Sequence, residues 1–142
     1  MTWTNDTETM RRLMTTPGRW AVVGLSANTE RTAYRIAAFL KDELGMEIVP
    51  VHPRAQDVHG AQGYASLAEV PGRIDVVDVF VRSELAGQVV DEAVAAGAGA
   101  VWLQLGVVDE DAAERARAAG LDVVMDTCPR IEATRLGVLD AD

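Results

Sequence analysis

Short, unbroken runs of apolar residues recur along this chain, and valine is prominent in them. Apolar residues that follow one another without polar alternation are typical of strands covered on both faces of a sheet. These runs predict five strands, at residues 20–24, 47–51, 74–81, 100–105 and 121–125.

The segments between the runs are amphipathic, with apolar side chains three or four residues apart on one helical face. This spacing predicts helices at residues 5–15, 33–44, 84–96 and 109–119, and a short one at 129–136. Glycine follows three of the four longer segments, and Asp109 is a suitable N-cap for the fourth of them.

Strand and helix therefore alternate throughout, without an internal repeat or a linker. This order predicts an α/β fold: a Rossmann-like, doubly wound, mainly parallel sheet of about five strands with helices on both faces. We expect a single domain over residues 1–142. Residues 1–17 would form an N-terminal helical extension, and residues 137–142 a C-terminal tail.

Composition and charge narrow the class of protein. Apolar residues make up 49% and charged residues 25% of the 142 residues, an ordinary globular mixture. The formal net charge of −9 opposes binding to nucleic acid. The N-terminus does not have the pattern of a signal peptide, no apolar segment has membrane length, and Cys128 is the single cysteine. These features predict a cytoplasmic protein that does not bind membranes.

Doubly wound sheets bind ligands beyond the carboxyl ends of their strands. The first loop there begins Gly24-Leu25-Ser26-Ala27 and leads into a helix, whose free N–H groups and positive dipole end suit a phosphate. The loop lacks the later glycines of the G-x-G-x-x-G motif, so a tight turn without a ligand also fits it.

The end of the second predicted strand reads His52-Pro53-Arg54. An NAD site would place an acidic residue there to bind the ribose hydroxyls. A cation instead suits a ribose phosphate, either the 2′-phosphate of NADP or the 3′-phosphate of CoA. Arg31 and Arg35 are expected near the same crevice. A solvated surface charge remains the alternative for Arg54.

Six segments resemble, in the same order, the small CoA-binding protein family of bacteria. The fold of that family is similar to the CoA-binding domain of the succinyl-CoA synthetase alpha subunit. The segments are AVVGLS (21–26), AYRIA (33–37), VPVHP (49–53), DVVDVF (75–80), VWLQLG (101–106) and MDTCP (125–129), and they span roughly residues 20–136.

The resemblance implies CoA lying across the first loop and the ends of the second and third strands. Residues 24–27 would meet the pyrophosphate, and residues 52–54 would flank the adenosine and its 3′-phosphate. The adenine side of the site would be lined by Phe80, Val81 and Arg82. The family's Arg-Pro-Ser-Tyr reads Arg-Thr-Ala-Tyr at residues 31–34 of this chain, so we expect weaker phosphate binding there.

Candidates for catalysis are few. Cys128 has no histidine nearby in sequence, and Ser26 lacks the second glycine of a G-x-S-x-G nucleophile elbow. His52 and His59 lack the neighbours of a zinc site. Gln104, at the end of the fourth strand, is a candidate to bind the pantetheine amides, or it ties loops together. We therefore predict no catalytic residues and no metal site.

The sequence thus predicts non-catalytic binding of CoA or an acyl-CoA, and leaves open a homo-oligomer or a partner protein. Two alternatives remain: an NADP-binding reductase fragment, and an interaction subunit whose nucleotide crevice is vestigial.

Overall fold

The structure, a computed structural model, describes residues 3–139 and confirms the predicted alternation of strands and helices. The outermost residues of the expected extension and tail, 1–2 and 140–142, lie outside the described residues. The strands are β1 (Arg19–Val23), β2 (Glu47–Val51), β3 (Val76–Val79), β4 (Ala100–Leu103) and β5 (Asp122–Val124). The helices are α1 (Thr7–Thr15), α2 (Thr32–Asp42), α3 (Ser83–Ala95), α4 (Glu110–Ala118) and α5 (Pro129–Arg135).

The five strands form one parallel sheet in the order β2-β1-β3-β4-β5. From β1 the chain runs outward to β2, then returns to the other side of β1 for β3 and continues to β5. This reversal makes the β1–β3 boundary the switch point of the sheet, where a crevice opens beyond the carboxyl ends of the strands.

Helices cover both faces of the sheet, as predicted. Helices α1, α2 and α5 pack on one face, where Trp20 and Trp102 lie fully buried with their ring centroids 5.7 Å apart. Helices α3 and α4 pack on the other face over a layer of valines and alanines. Because both faces are covered, the strands contain almost no polar residue at a buried position, which explains their unbroken apolar runs.

Local signals in the sequence explain most element boundaries. The carboxylate of Asp109 accepts the N–H of Ala112 at 3.0 Å, which confirms it as the N-cap of α4. Strand β3 is shorter than predicted because Asp75 lies at its start and accepts hydrogen bonds from the N–H of Arg19 and the guanidinium of Arg73. A 3₁₀ turn at Leu67–Glu69 was not predicted. Within residues 3–139, every helix is too short or too polar to span a lipid bilayer.

Candidate functional site

A cavity of about 1030 Å³ opens at the switch point, beyond the ends of β1, β2 and β3. Its apolar lining comes from Val23, Val51, Leu67, Val81 and Val89. Helix α3 forms one wall, the segment around the 3₁₀ turn another, and the loop leading into α2 a third. The cavity is therefore a slot with an apolar interior and polar loops at its rim, suited to a flat ring attached to charged groups.

Gly24 ends β1 in a conformation that glycine favours, with φ of +102°. Its N–H donates to the carbonyl of Val51 at 2.8 Å, so the first loop is fixed to β2. A Cβ atom on Gly24 would collide with the carbonyl oxygen of Phe80 at the end of β3. The glycine is therefore required by the close approach of β1 and β3, whether or not a ligand is bound.

The first loop holds itself in a compact turn. The hydroxyl of Ser26 accepts the N–H of Asn28 at 3.3 Å, and the side chain of Asn28 accepts the N–H of Glu30 at 3.0 Å. Gln56, from the loop after β2, accepts the N–H of Ala27 at 3.1 Å. This last bond joins the two loops that the sequence assigned to the pyrophosphate and the 3′-phosphate.

Helix α2 begins at the rim of the cavity without a side-chain cap. Arg31 occupies the N-cap position, and Thr32 and Ala33 follow it along the cavity wall. The N–H groups of Thr32 and Ala33 have no acceptor among residues 3–139. Free N–H groups at the positive end of a helix favour an anion at this place.

Arginines with no acidic partner line the crevice. Arg31 and Arg54 both line it, and neither forms an ion pair among the described residues. Eight other arginines lie beside carboxylates: Arg11–Glu8, Arg12–Asp122, Arg19–Glu47, Arg73–Asp75, Arg82–Glu84, Arg115–Asp91, Arg117–Glu114 and Arg135–Glu132. Glu30 and Glu92 also line the cavity. Unpaired guanidinium groups in so acidic a protein leave positive charge available for an anionic ligand.

The structure brings together nine of the thirteen residues that the sequence assigned to the site. They are Gly24, Ser26, Arg31, His52, Pro53, Arg54, Phe80, Val81 and Arg82. His52 orders its own loop, because its Nδ1 accepts the N–H of Arg54 at 3.1 Å.

The other four assigned residues do not line the cavity. Leu25 is fully buried in the core beneath the loop. Ala27 contributes its backbone to the bond with Gln56. Arg35 lies one turn into α2 and reaches the carbonyl of Glu30 at 3.4 Å. Gln104 is buried and donates to Asp78 at 2.7 Å, so its amide is engaged below the crevice.

The Asp78–Gln104 pair lies inside the sheet. Asp78 is fully buried in β3, beside Val22 of β1 and Trp102 of β4. One carboxyl oxygen accepts from Gln104, and the other has no hydrogen-bond partner within residues 3–139. Burial raises the pKa of this carboxyl from 3.8 to about 7, and the bond from Gln104 opposes the shift only in part.

Sequence reasoning missed two walls of the cavity. Leu85, Gln88, Val89 and Glu92 of α3 all line it. Their spacing of three and four residues defines a single helical face, and that periodicity was the available signal. The segment at residues 65–67 also lines the cavity, and its loop-like sequence carried no comparable signal.

Among residues 3–139, neither nucleophile candidate is hydrogen-bonded to a base. Ser26 is engaged with the backbone of Asn28, and Cys128 is buried at the start of α5. Both histidines are hydrogen-bonded to backbone groups. Nδ1 of His52 accepts the N–H of Arg54, and Nε2 of His59 lies 2.8 Å from the carbonyl of Tyr34.

Comparison with known proteins agrees with this geometry. Residues 18–134 match the model of a family described as a CoA binding domain. The chain is 38% identical over 113 residues to the uncharacterized protein YneT of Bacillus subtilis, covering 80% of this chain and 83% of YneT. A solved structure of a protein described as PH1109 redesigned for binding superposes with a TM-score of 0.89 at 32% identity, covering 98% of this chain and 97% of that one.

A longer enzyme subunit shares part of the chain. The alpha subunit of an ADP-forming acetate–CoA ligase from Pyrococcus furiosus is 31% identical over 72 residues, which cover 51% of this chain and 16% of that subunit. The fold is Rossmann-like, with its crevice at the switch point of the parallel sheet. The chain belongs to the CoA-binding domain family.

Proposed function

We propose that this chain binds coenzyme A or an acyl-CoA in the crevice at the β1–β3 switch point, without catalysing a reaction. The observation that carries the proposal is the pair of unpartnered arginines, Arg31 and Arg54, on the rim of an apolar slot. CoA has the matching chemistry: an adenine ring, a pyrophosphate and a separate 3′-phosphate. Membership of the CoA-binding domain family supports the same ligand.

The ligand's parts correspond to the walls of the slot. The adenine ring lies between the valine side chains that line the cavity, with Val81 on one side. The pyrophosphate meets the first loop and the uncapped start of α2, where Thr32 and Ala33 offer free N–H groups. Arg54 binds the 3′-phosphate, since a guanidinium matches phosphate oxygens with two hydrogen bonds.

The test compares CoA with dephospho-CoA, which lacks the 3′-phosphate. Wild-type protein should prefer CoA in calorimetric titration, and Arg54→Ala should weaken CoA binding about tenfold while binding dephospho-CoA nearly as before. The preference should also shrink as salt is added, because the pair is exposed to solvent.

Arg130→Ala is the matched control. Arg130 is also exposed and lacks an ion pair among the described residues, but it lies on α5 and outside the cavity. CoA affinity should be unchanged in that variant. If Arg54→Ala keeps the full preference for CoA, another cation binds the phosphate, and Arg31 or Arg35 would be replaced next. If wild-type protein binds the two ligands equally, the proposed role of Arg54 is wrong.

A further inference from the structure

One exposed apolar side chain lines the crevice, and two others lie in a loop that is hydrogen-bonded to the start of the same helix. The large apolar side chains most exposed among residues 3–139 are Leu85, Leu105, Val108 and Ile131. Leu85, in the first turn of α3, lines the cavity. Leu105, which is 62% exposed, and Val108 lie in the loop between β4 and α4. We call Leu85, Leu105 and Val108 the apolar collar.

Hydrogen bonds join the parts of this collar. The hydroxyl of Ser83, at the start of α3, accepts the N–H of Val108 at 3.0 Å and donates to the carbonyl of Gly106 at 3.3 Å. The N–H of Gly106 donates in turn to Asp126, after β5, at 2.8 Å. The β4–α4 loop, which carries Leu105 and Val108, is therefore tied to the start of the helix whose Leu85 lines the crevice.

The order of the strands places the collar at the thiol end of the ligand. This step depends on the proposed function. If the 3′-phosphate lies beyond β2 and the pyrophosphate beyond β1, the pantetheine arm runs onward over β3 toward β4. Neighbouring strands are about 4.8 Å apart, so β4 lies about 10 Å from β1, which the arm can span. An acyl group attached to its sulfur then extends onto the collar.

The charges near the collar distinguish acyl groups that carry a carboxylate from uncharged ones. Glu84, Asp109 and Asp126 lie next to it, and both neighbouring cations already face carboxylates. Arg82 lies 3.9 Å from Glu84, and Arg115, near Asp109, lies 3.1 Å from Asp91. A terminal carboxylate on the acyl group would meet negative charge, whereas an uncharged hydrocarbon would cover exposed leucine and valine. We propose that the preferred ligand is an acyl-CoA with an uncharged, apolar acyl group, which packs on Leu85, Leu105 and Val108.

Titration with a series of ligands tests the proposal. Hexanoyl-CoA should bind about tenfold more tightly than CoA, which corresponds to burial of about two methylene groups. Succinyl-CoA should bind no more tightly than CoA. Leu105→Ser and Val108→Ser should each reduce the preference for hexanoyl-CoA, to about threefold, and leave the affinity for CoA unchanged.

Ile131→Ser is the matched control, because Ile131 is comparably exposed but lies on α5, on the opposite face of the sheet from α3 and α4. It should keep the tenfold preference. Equal binding of CoA and hexanoyl-CoA would overturn the acyl proposal while the proposed function stands. Binding of neither ligand would overturn both. A change from dimer to monomer in Leu105→Ser, with the acyl preference intact, would make the collar a protein interface and would also overturn the proposal.

Discussion

Asp78 places a carboxyl group in the middle of the sheet, on strand β3, whose other residues are all valine. Gln104 satisfies one of its oxygens, and the second oxygen is buried without a partner in the described part of the chain. The ionised form of such a group is costly, so the folded protein binds a proton there more tightly than the unfolded chain does. The stability of the protein should therefore depend on pH in part through Asp78.

The sign of the dependence follows from the raised pKa. Below pH about 4 the Asp78 carboxyl is largely neutral in both the folded and the unfolded protein, so folding does not bury a charge. As the pH rises from 3.8 to about 7, the unfolded state loses its proton while the folded state keeps it, so the free energy of unfolding falls, by as much as about 4 kcal/mol.

Asp78→Asn keeps the shape and the bond from Gln104 and removes the titration. We expect the variant to lose less stability than wild type between pH 5 and pH 8, as measured by urea unfolding at both values. Asp75→Asn is the control on the same segment. The hydrogen bond from Arg73 holds the pKa of Asp75 below its ordinary value. The ionised Asp75 therefore stabilises the fold equally at all pH values above about 4, and this stabilisation is lost in acid. Parallel pH profiles of wild type and Asp78→Asn would contradict the prediction.

At the scale of the elements, both edges of the sheet are covered near their carboxyl ends by short segments. On the β2 side, Tyr64 exchanges backbone bonds with Pro50 and His52. On the β5 side, the side-chain amide of Asn5 takes the place of a strand. It donates to the carbonyl of Met125 at 2.8 Å and accepts the N–H of Met125 at 2.9 Å.

Asn5→Ala should destabilise the protein by about 2 kcal/mol, because it leaves two polar groups of the buried Met125 backbone without partners. Urea unfolding monitored by tryptophan fluorescence measures the difference. Thr4→Ala, at an exposed neighbouring position, should change stability by less than about 0.5 kcal/mol. If both variants behave alike, the N-terminal segment does not stabilise the edge of the sheet.

The sequence predicted elements better than side-chain environments. All five strands and five helices were identified, because strand burial and helical amphipathicity are local patterns. Gly24 was identified for a ligand's approach, and a Cβ there would also meet Phe80, which follows β3 more than fifty residues further along the chain. Gln104 was a candidate to bind the pantetheine amides or to tie loops together, and in the structure its side chain donates to Asp78. Both contacts depend on strand order, which periodicity along the chain does not encode.

At the scale of the whole molecule, the crevice joins parts of the fold that are distant in sequence. Its lining comes from the ends of three strands, the start of α2, one face of α3 and the segment at residues 65–67. A ligand bound there contacts both halves of the doubly wound sheet at once. Because unfolding separates all of these parts, a ligand bound in the crevice should stabilise the entire domain rather than one loop.

Thermal unfolding in a series of nucleotides should therefore report the ligand class directly. A ligand that binds the native state alone adds about 2.7 kcal/mol at a hundred times its dissociation constant, which for a chain of this size raises Tm by on the order of 10 °C. CoA and hexanoyl-CoA should produce such a shift, and NAD, which has no separate ribose phosphate, should not. Arg54→Ala should reduce the shift with CoA at the same ligand concentration. A larger shift with NADP than with CoA would favour a dinucleotide reductase site, and no shift with any of them would mean that the crevice is vestigial.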